Sequence, residues 1–343
     1  MPGITPPQLV EATWLRQLPE FIRAIAESPD GERIAVADAS GQVLILGVAD
    51  GESQQRWQLH DEPITGLRWP RPDRLVSIAE DGTARIIDPE DYGRRVALIE
   101  TDAFWIEDLD ICHTSKRLAL CAGKKAQVWS LDGDKEWESQ PHESTVSGVS
   151  FLPQKSLLAT ACYGAMRIWD HDSGGEKEQL TWKGSLFKPH PSPDGSVVAC
   201  GCQDDSVHFW RLETGRDSEM SGYPAKPRCL AWSTDSTLLA TSAAQAVLVW
   251  SFSEGPEGTS PFVLQVHEAP VSAMGFHPTR KLLLSGSEDG IILLWAPQNG
   301  PTPMAMATMV GEVSAARWLP RDNRFVAGDS LGYVGRFDPR FGV

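Results

Sequence analysis

The sequence predicts an all-β protein, a single closed ring of eight four-stranded units, and three observations carry that expectation. Large apolar residues recur in one phase at Leu46, Ile87, Trp129, Trp169, Trp210, Trp250, Trp295 and Phe337, spaced 40 to 45 residues apart. Each closes a short apolar segment set off by turn residues, and the alternation within the segments is the period-two pattern of half-buried strands. The two ends of the chain are also complementary: a spare strand precedes the first unit, and the last unit ends one strand short.

Residues 12–18 (ATWLRQL) resemble residues 54–60 (QQRWQLH), a fourth strand, yet no inner strands precede them. The innermost strands are expected at 21–26, 63–69, 105–111, 145–151, 185–191, 226–232, 270–276 and 312–318. The units then run near 21–60, 63–100, 105–140, 145–182, 185–221, 226–266, 270–307 and 312–338, within one domain spanning 1–343. The fifth, around HPSPDG, is the weakest, and seven units is the fallback should it not form. The clearest is the seventh, where residues 267–295 predict a meander of Val271–Phe276, 282–285 and Ile291–Trp295. Its tight turn is Glu288-Asp289-Gly290, because Asp-Gly supplies hairpin geometry. The Gly- and Pro-rich loops at 251–261 and 295–303 fall within the repeat and read as turns. Residues 12–18 are expected to complete the last unit and close the ring, which removes two unpaired sheet edges.

A period in the low forties with a terminal Trp, followed once by Asp at Trp169-Asp170, resembles the WD-repeat (WD40) family of β-propellers, and the resemblance covers about residues 12–338. It implies that His267, Ser285, Asp289 and Trp295 form a buried hydrogen-bonded chain. Such a chain satisfies polar groups that would otherwise be costly to bury. Ser, His and Asp could also make a catalytic set, but their spacing fits the structural role. The second unit keeps His60, Ser77 and Asp81 with Ile87 in place of Trp; the fifth keeps Asp204 and Trp210 with Cys200 at the hydroxyl position. The turns before Trp129, Trp169 and Trp250 lack the Asp, so only the seventh unit has the full set.

The formal charge of −15 argues against a nucleic-acid groove, since a phosphate backbone demands clustered Lys and Arg, and the longest basic runs are pairs such as Arg94-Arg95 and Lys124-Lys125. That acidity favours solubility and permits a basic partner. The six cysteines show no CxxC spacing and read as buried free thiols. No leader pattern opens the chain and no apolar run is long enough to span a bilayer, so a cytoplasmic, membrane-free protein is expected, monomeric by itself. No metal site is expected: His60, His142 and His267 fall in different units, and His190/Asp194 or Cys200/Cys202/His208 offer no converging ligand set. No GxSxG elbow, phosphate loop or HExxH motif occurs.

In a propeller the first strand of each blade lines a central channel, and its entrance residues are candidates for contact. Two clusters emerge. One is aromatic and acidic, with Phe104, Trp105 and Glu107, to which the next blade adds Tyr163; the other is basic, with Lys226 and Arg228. Arg23 and Phe187 occupy equivalent entrance positions. Trp, Tyr and Arg dominate binding hot spots because they bury much area and still hydrogen-bond. The resemblance implies a non-catalytic scaffold that binds a protein or peptide on this face, without cofactor. The alternative is a propeller that holds a small molecule or metal ion in its channel as accessory to an enzyme.

Overall fold

The computed structural model describes residues 6–320 and 323–340. They form eight antiparallel sheets in a ring, an eight-bladed β-propeller, with one short 3₁₀ turn at Pro297–Asn299. No helix among the described residues is long and apolar enough to cross a membrane. Blade 1 runs outward from Ile22–Glu27 through Arg33–Asp38 and Gln42–Gly47 to Ser53–Gln58, and the others repeat that meander. Every recurrent large apolar residue falls on a third strand, from Leu46 on Gln42–Gly47 to Phe337 on Tyr333–Phe337.

The core lies between blades. Ile22, Ile25, Val36 and Leu46 of blade 1 pack with Val326 and Val334 of blade 8, while Ala35, Val43 and Ile45 on the opposite pleats pack with Leu67 and Leu75 of blade 2. Because side chains alternate across a strand, each sheet feeds two cores, and no blade buries its own faces alone.

Ala12–Gln17 pairs antiparallel with Tyr333–Phe337 as the outer strand of blade 8, so one sheet joins the two ends of the sequence. The structure adds a strand beyond the four-stranded expectation: Gln8–Leu9 pairs parallel with Ala305–Thr308, making blade 7 five-stranded. The fifth blade is present, but its innermost strand is only His190–Pro191. Pro189 and Pro191 lack the N–H a ladder needs, which explains the short strand without removing the blade.

The tryptophans account for much of the blade-to-blade registry. On outer strands, Trp14, Trp57 and Trp137 donate their indole N–H to the carbonyls of Val48, Tyr92 and His171 in the next blade, at 2.9, 3.2 and 2.9 Å. Beneath the first two rings lie Gly51 (φ 67) and Gly93 (φ 75), where a Cβ would come within 2.5 and 2.4 Å of the indole. Only glycine tolerates both that φ and that approach. On innermost strands, Trp232 and Trp318 donate to His190 O at 2.9 Å and Gly275 O at 3.0 Å in the preceding blades.

Candidate functional site: the channel-entrance face

In blade 7 the Trp295 indole donates to Ser285 Oγ at 2.9 Å, and Ser285 Oγ lies 2.8 Å from His267 Nε2. Asp289 sits differently from the expected chain. It accepts the backbone N–H of Glu268 at 2.9 Å and of Ile291 at 2.8 Å, while its Oδ2 stays 3.6 Å from His267 Nδ1. A tight turn needs its own N–H groups satisfied, and the carboxylate serves that turn first. Ser285 is fully buried, so no substrate can reach its hydroxyl, and the Ser/His/Asp combination acts as a structural set.

The same ring-and-hydroxyl device occurs where the turn Asp is absent. In blade 4, Thr160 Oγ1 accepts the Trp169 indole at 2.9 Å and lies 2.8 Å from His142 Nε2, whose other nitrogen is 3.0 Å from Lys124 O. In blade 6 a phenol replaces the imidazole: Trp250 donates to Tyr223 OH at 2.9 Å, and that OH is 2.9 Å from Thr241 Oγ1. Burial pushes the Tyr223 phenol up to about 12, so it stays protonated. Blade 2, lacking the Trp, joins His60 to Ser77 at 2.8 Å and to Asp81 at 2.9 Å. Ser285→Ala would strand both the Trp295 N–H and His267 Nε2, so a loss of roughly 2 kcal/mol is expected in urea unfolding. A loss below about 0.5 kcal/mol would show that the trio is dispensable.

All six cysteines are free; Cys121, Cys162, Cys200 and Cys202 are buried, and Cys112 and Cys229 are half-buried. Cys200 faces His208 across the ladder, but it packs into the core between blades, while the His208 ring stacks on Trp182 at 3.7 Å between centroids. Asp194 accepts the hydroxyls of Ser192 and Ser196 in its own turn, leaving no converging set with His190. Among the described residues no group of three or more His, Cys, Asp or Glu side chains is arranged to hold a metal ion.

The entrance residues divide into separate places. Phe104 and Trp105 precede the innermost strand of blade 3 and are 89% and 49% exposed. They line a groove of about 740 Å³ between blades 2 and 3, with Glu107, Asp61, Glu62 and Glu80. The Trp105 indole N–H donates to the Glu107 carboxylate, which orients the ring at the groove's edge. Arg23 borders this groove from blade 1, where its guanidinium meets Glu80 at 3.1 Å and donates to Ile64 O at 3.3 Å.

Lys226 and Arg228 line a different groove, of about 550 Å³, between blades 6 and 7, together with Asp205 and Glu288. Tyr163 is 59% exposed at the start of the third strand of blade 4, and its backbone N–H donates to Ser144 Oγ at 2.9 Å. Phe187 is half-buried against the innermost part of blade 5, where a Cβ on Gly201 would stand 3.2 Å from its ring. Neither shares a groove with the two clusters. Sequence reasoning missed Asp61, Glu62 and Glu80, which come from the strand connection before blade 2's inner strand and from its hairpin turn; the repeat register places both beside residue 105.

The family model "WD domain, G-beta repeat" matches residues 133–170, 188–211 and 258–296. Telomerase protein component 1 of Mus musculus is 24% identical over 322 residues, covering 91% of this chain and 9% of the relative. Actin-interacting protein 1 of Caenorhabditis elegans is 23% identical, covering 90% of this chain and 45% of the relative. The transcriptional corepressor LEUNIG_HOMOLOG of Arabidopsis thaliana is 23% identical, over 83% and 36%. The chain thus spans less than half the length of each of these relatives. A crystal structure of the computationally designed Ika8 protein superposes with a TM-score of 0.82 at 20% identity, covering 97% of this chain and all of that one, a likeness of fold. With matched repeats in three places, relatives aligned along most of this chain and eight blades in one ring, the chain carries WD40 repeats and is similar to the WD-repeat proteins.

Proposed function

We propose that this protein is a non-catalytic interaction scaffold whose entrance face captures a partner protein through a cationic segment seated between blades 2 and 3. The observation that carries this reading is the pair of exposed rings, Phe104 and Trp105, on a groove rimmed by Asp61, Glu62, Glu80 and Glu107. Large exposed aromatics cost hydration unless a partner covers them, and their faces attract ammonium or guanidinium groups. The surrounding carboxylates add attraction of the same sign, and the formal charge of −15 steers basic partners toward the molecule. The C. elegans relative is named for its interaction with actin, which fits interaction as the general task of such propellers.

Random-peptide display on the intact protein, followed by fluorescence polarisation of the selected peptides, tests the reading. Peptides enriched in Lys or Arg are expected, weakened roughly 30-fold by Phe104→Ala with Trp105→Ala, a hot-spot loss of about 2 kcal/mol. Lys226→Ala with Arg228→Ala should leave the same peptides bound within about twofold. Selection of acidic or uncharged peptides, or affinity unchanged by loss of both rings, would overturn it.

A further inference from the structure

The innermost strands of blades 8, 1 and 2 begin at Val313, Ile22 and Ile64, and each carries the same irregularity after its first residue. Four residues on, the equivalent positions are Arg317, Ala26 and Arg68. Two guanidiniums therefore flank a methyl group near the end of the channel away from the entrance. Both line the cavity of about 560 Å³ that fills the channel, and so does Glu27, the residue after Ala26.

Among the described residues Arg317 has no hydrogen bond or ion pair, and Arg68 donates only to the neighbouring Leu67 carbonyl, at 2.9 Å. Glu27 forms an ion pair with neither. On the innermost strand of the adjoining blade 7, Gly275 would carry a Cβ with nothing within 4 Å, so the lumen beside Arg317 is open. Arg317 is exposed to that lumen, which residues of blades 1, 2, 5, 6, 7 and 8 enclose. This enclosure and the like charge of Arg68 hold Arg317 below the ordinary arginine range, and Glu27 offsets the effect in part. In a chain of formal charge −15, a pair of arginines facing one lumen, with one backbone carbonyl as acceptor and no carboxylate in an ion pair with either, is an under-compensated site.

We propose that this end of the channel binds a phosphoryl oxyanion between Arg68 and Arg317. A guanidinium presents parallel N–H donors matched to two oxygens of one phosphoryl group, and two such forks across a small residue can grip it from both sides. Glu27 accepts a hydrogen bond from a P–OH or from a hydroxyl of a phosphate ester, which favours a hydrogen-bearing anion over a bare one. The site lies apart from the entrance groove and does not depend on the scaffold reading.

Isothermal titration calorimetry at constant ionic strength, with pyrophosphate as the probe and orthophosphate and acetate in parallel, tests the proposal. One saturable pyrophosphate site per chain is expected, with weaker orthophosphate binding and no acetate binding. Arg68→Met and Arg317→Met should each weaken pyrophosphate at least tenfold, whereas Arg95→Met on an outer strand should change nothing. In chloride alone both channel variants should melt no lower than the wild type, because each removes one of two repelling charges. Absence of saturable pyrophosphate binding, or binding unchanged by Arg68→Met, would overturn the site. Acetate binding as tightly as orthophosphate would overturn the phosphoryl assignment. Should Arg317→Met fail to fold, the loss or retention of binding in Arg68→Met decides between the same two outcomes.

Discussion

Trp14→Ala is expected to cost about 3–5 kcal/mol of stability, the range for removing a large buried ring and leaving a cavity. Trp14 is 6% exposed, its N–H reaches Val48 O, and its ring covers Gly51. In the closing sheet it stands opposite Arg336, whose Nη1 donates to the same Val48 carbonyl at 2.7 Å and to Ala49 O at 2.9 Å. Blade 1, the N-terminal strand and the C-terminal strand therefore meet at one carbonyl. Removing the indole loosens the only strand that joins the two ends of the sequence within one described sheet, so trypsin cleavage after Arg16 should also accelerate. Trp57→Ala removes an equivalent latch, Trp57 to Tyr92 O, away from the seam. It should cost less and leave cleavage at Arg16 unchanged. Equal cleavage in both variants would show that Trp14 has no special part in closure.

The ring is legible in the sequence because its signals repeat. Eight apolar strand ends in one phase state the period, and the likeness of residues 12–18 to 54–60 states which strand is displaced. Features that lack repetition stay hidden. Gln8–Leu9 is a two-residue parallel pairing held through the Gln8 and Val10 amides to Met304 O and Met306 O, so no side-chain pattern marks it. A set defined by His, hydroxyl, Asp and Trp makes the absent Asp in blades 4 and 6 look decisive. The geometry depends instead on the hydroxyl and any ring that reaches it, and Tyr223 reaches Thr241 as His142 reaches Thr160. At the entrance face, Phe104, Trp105 and Glu107 are neighbours in sequence. Asp61 and Glu80 lie tens of residues away and join them only because adjacent blades share a register. Arg68 and Arg317 escape for the same reason, 249 positions apart yet equivalent in neighbouring parts of the ring.

Acidification is expected to destabilise the protein from about pH 6.5 downward, before most carboxylates titrate. Burial depresses His142 from its ordinary value to about 4, with Arg167 adding to the effect and the Lys124 carbonyl opposing it. Burial and Lys188 depress His190 to about 3, and His60, His208 and His267 are also lowered, chiefly by burial. An imidazole whose folded pKa lies below 6.5 binds its proton more readily when the chain is unfolded. Its stabilising contribution is therefore complete above pH 6.5 and is lost as pH falls toward the folded value. For His142, enclosed with its Nε2 on Thr160, the drop is worth on the order of 3 kcal/mol between pH 6.5 and 4. Carboxylates act in a lower window: Glu138, held at about 2 by Lys125 and Lys135, gives up its contribution only below its ordinary value of 4.5. Urea unfolding at pH 7.0, 5.5 and 4.5 separates the two windows. Stability should fall by several kcal/mol across the first, and His142→Gln should be less stable at pH 7 but show a shallower decline. A wild-type curve flat from pH 7 to 5 would mean that these rings are solvated enough to protonate in place.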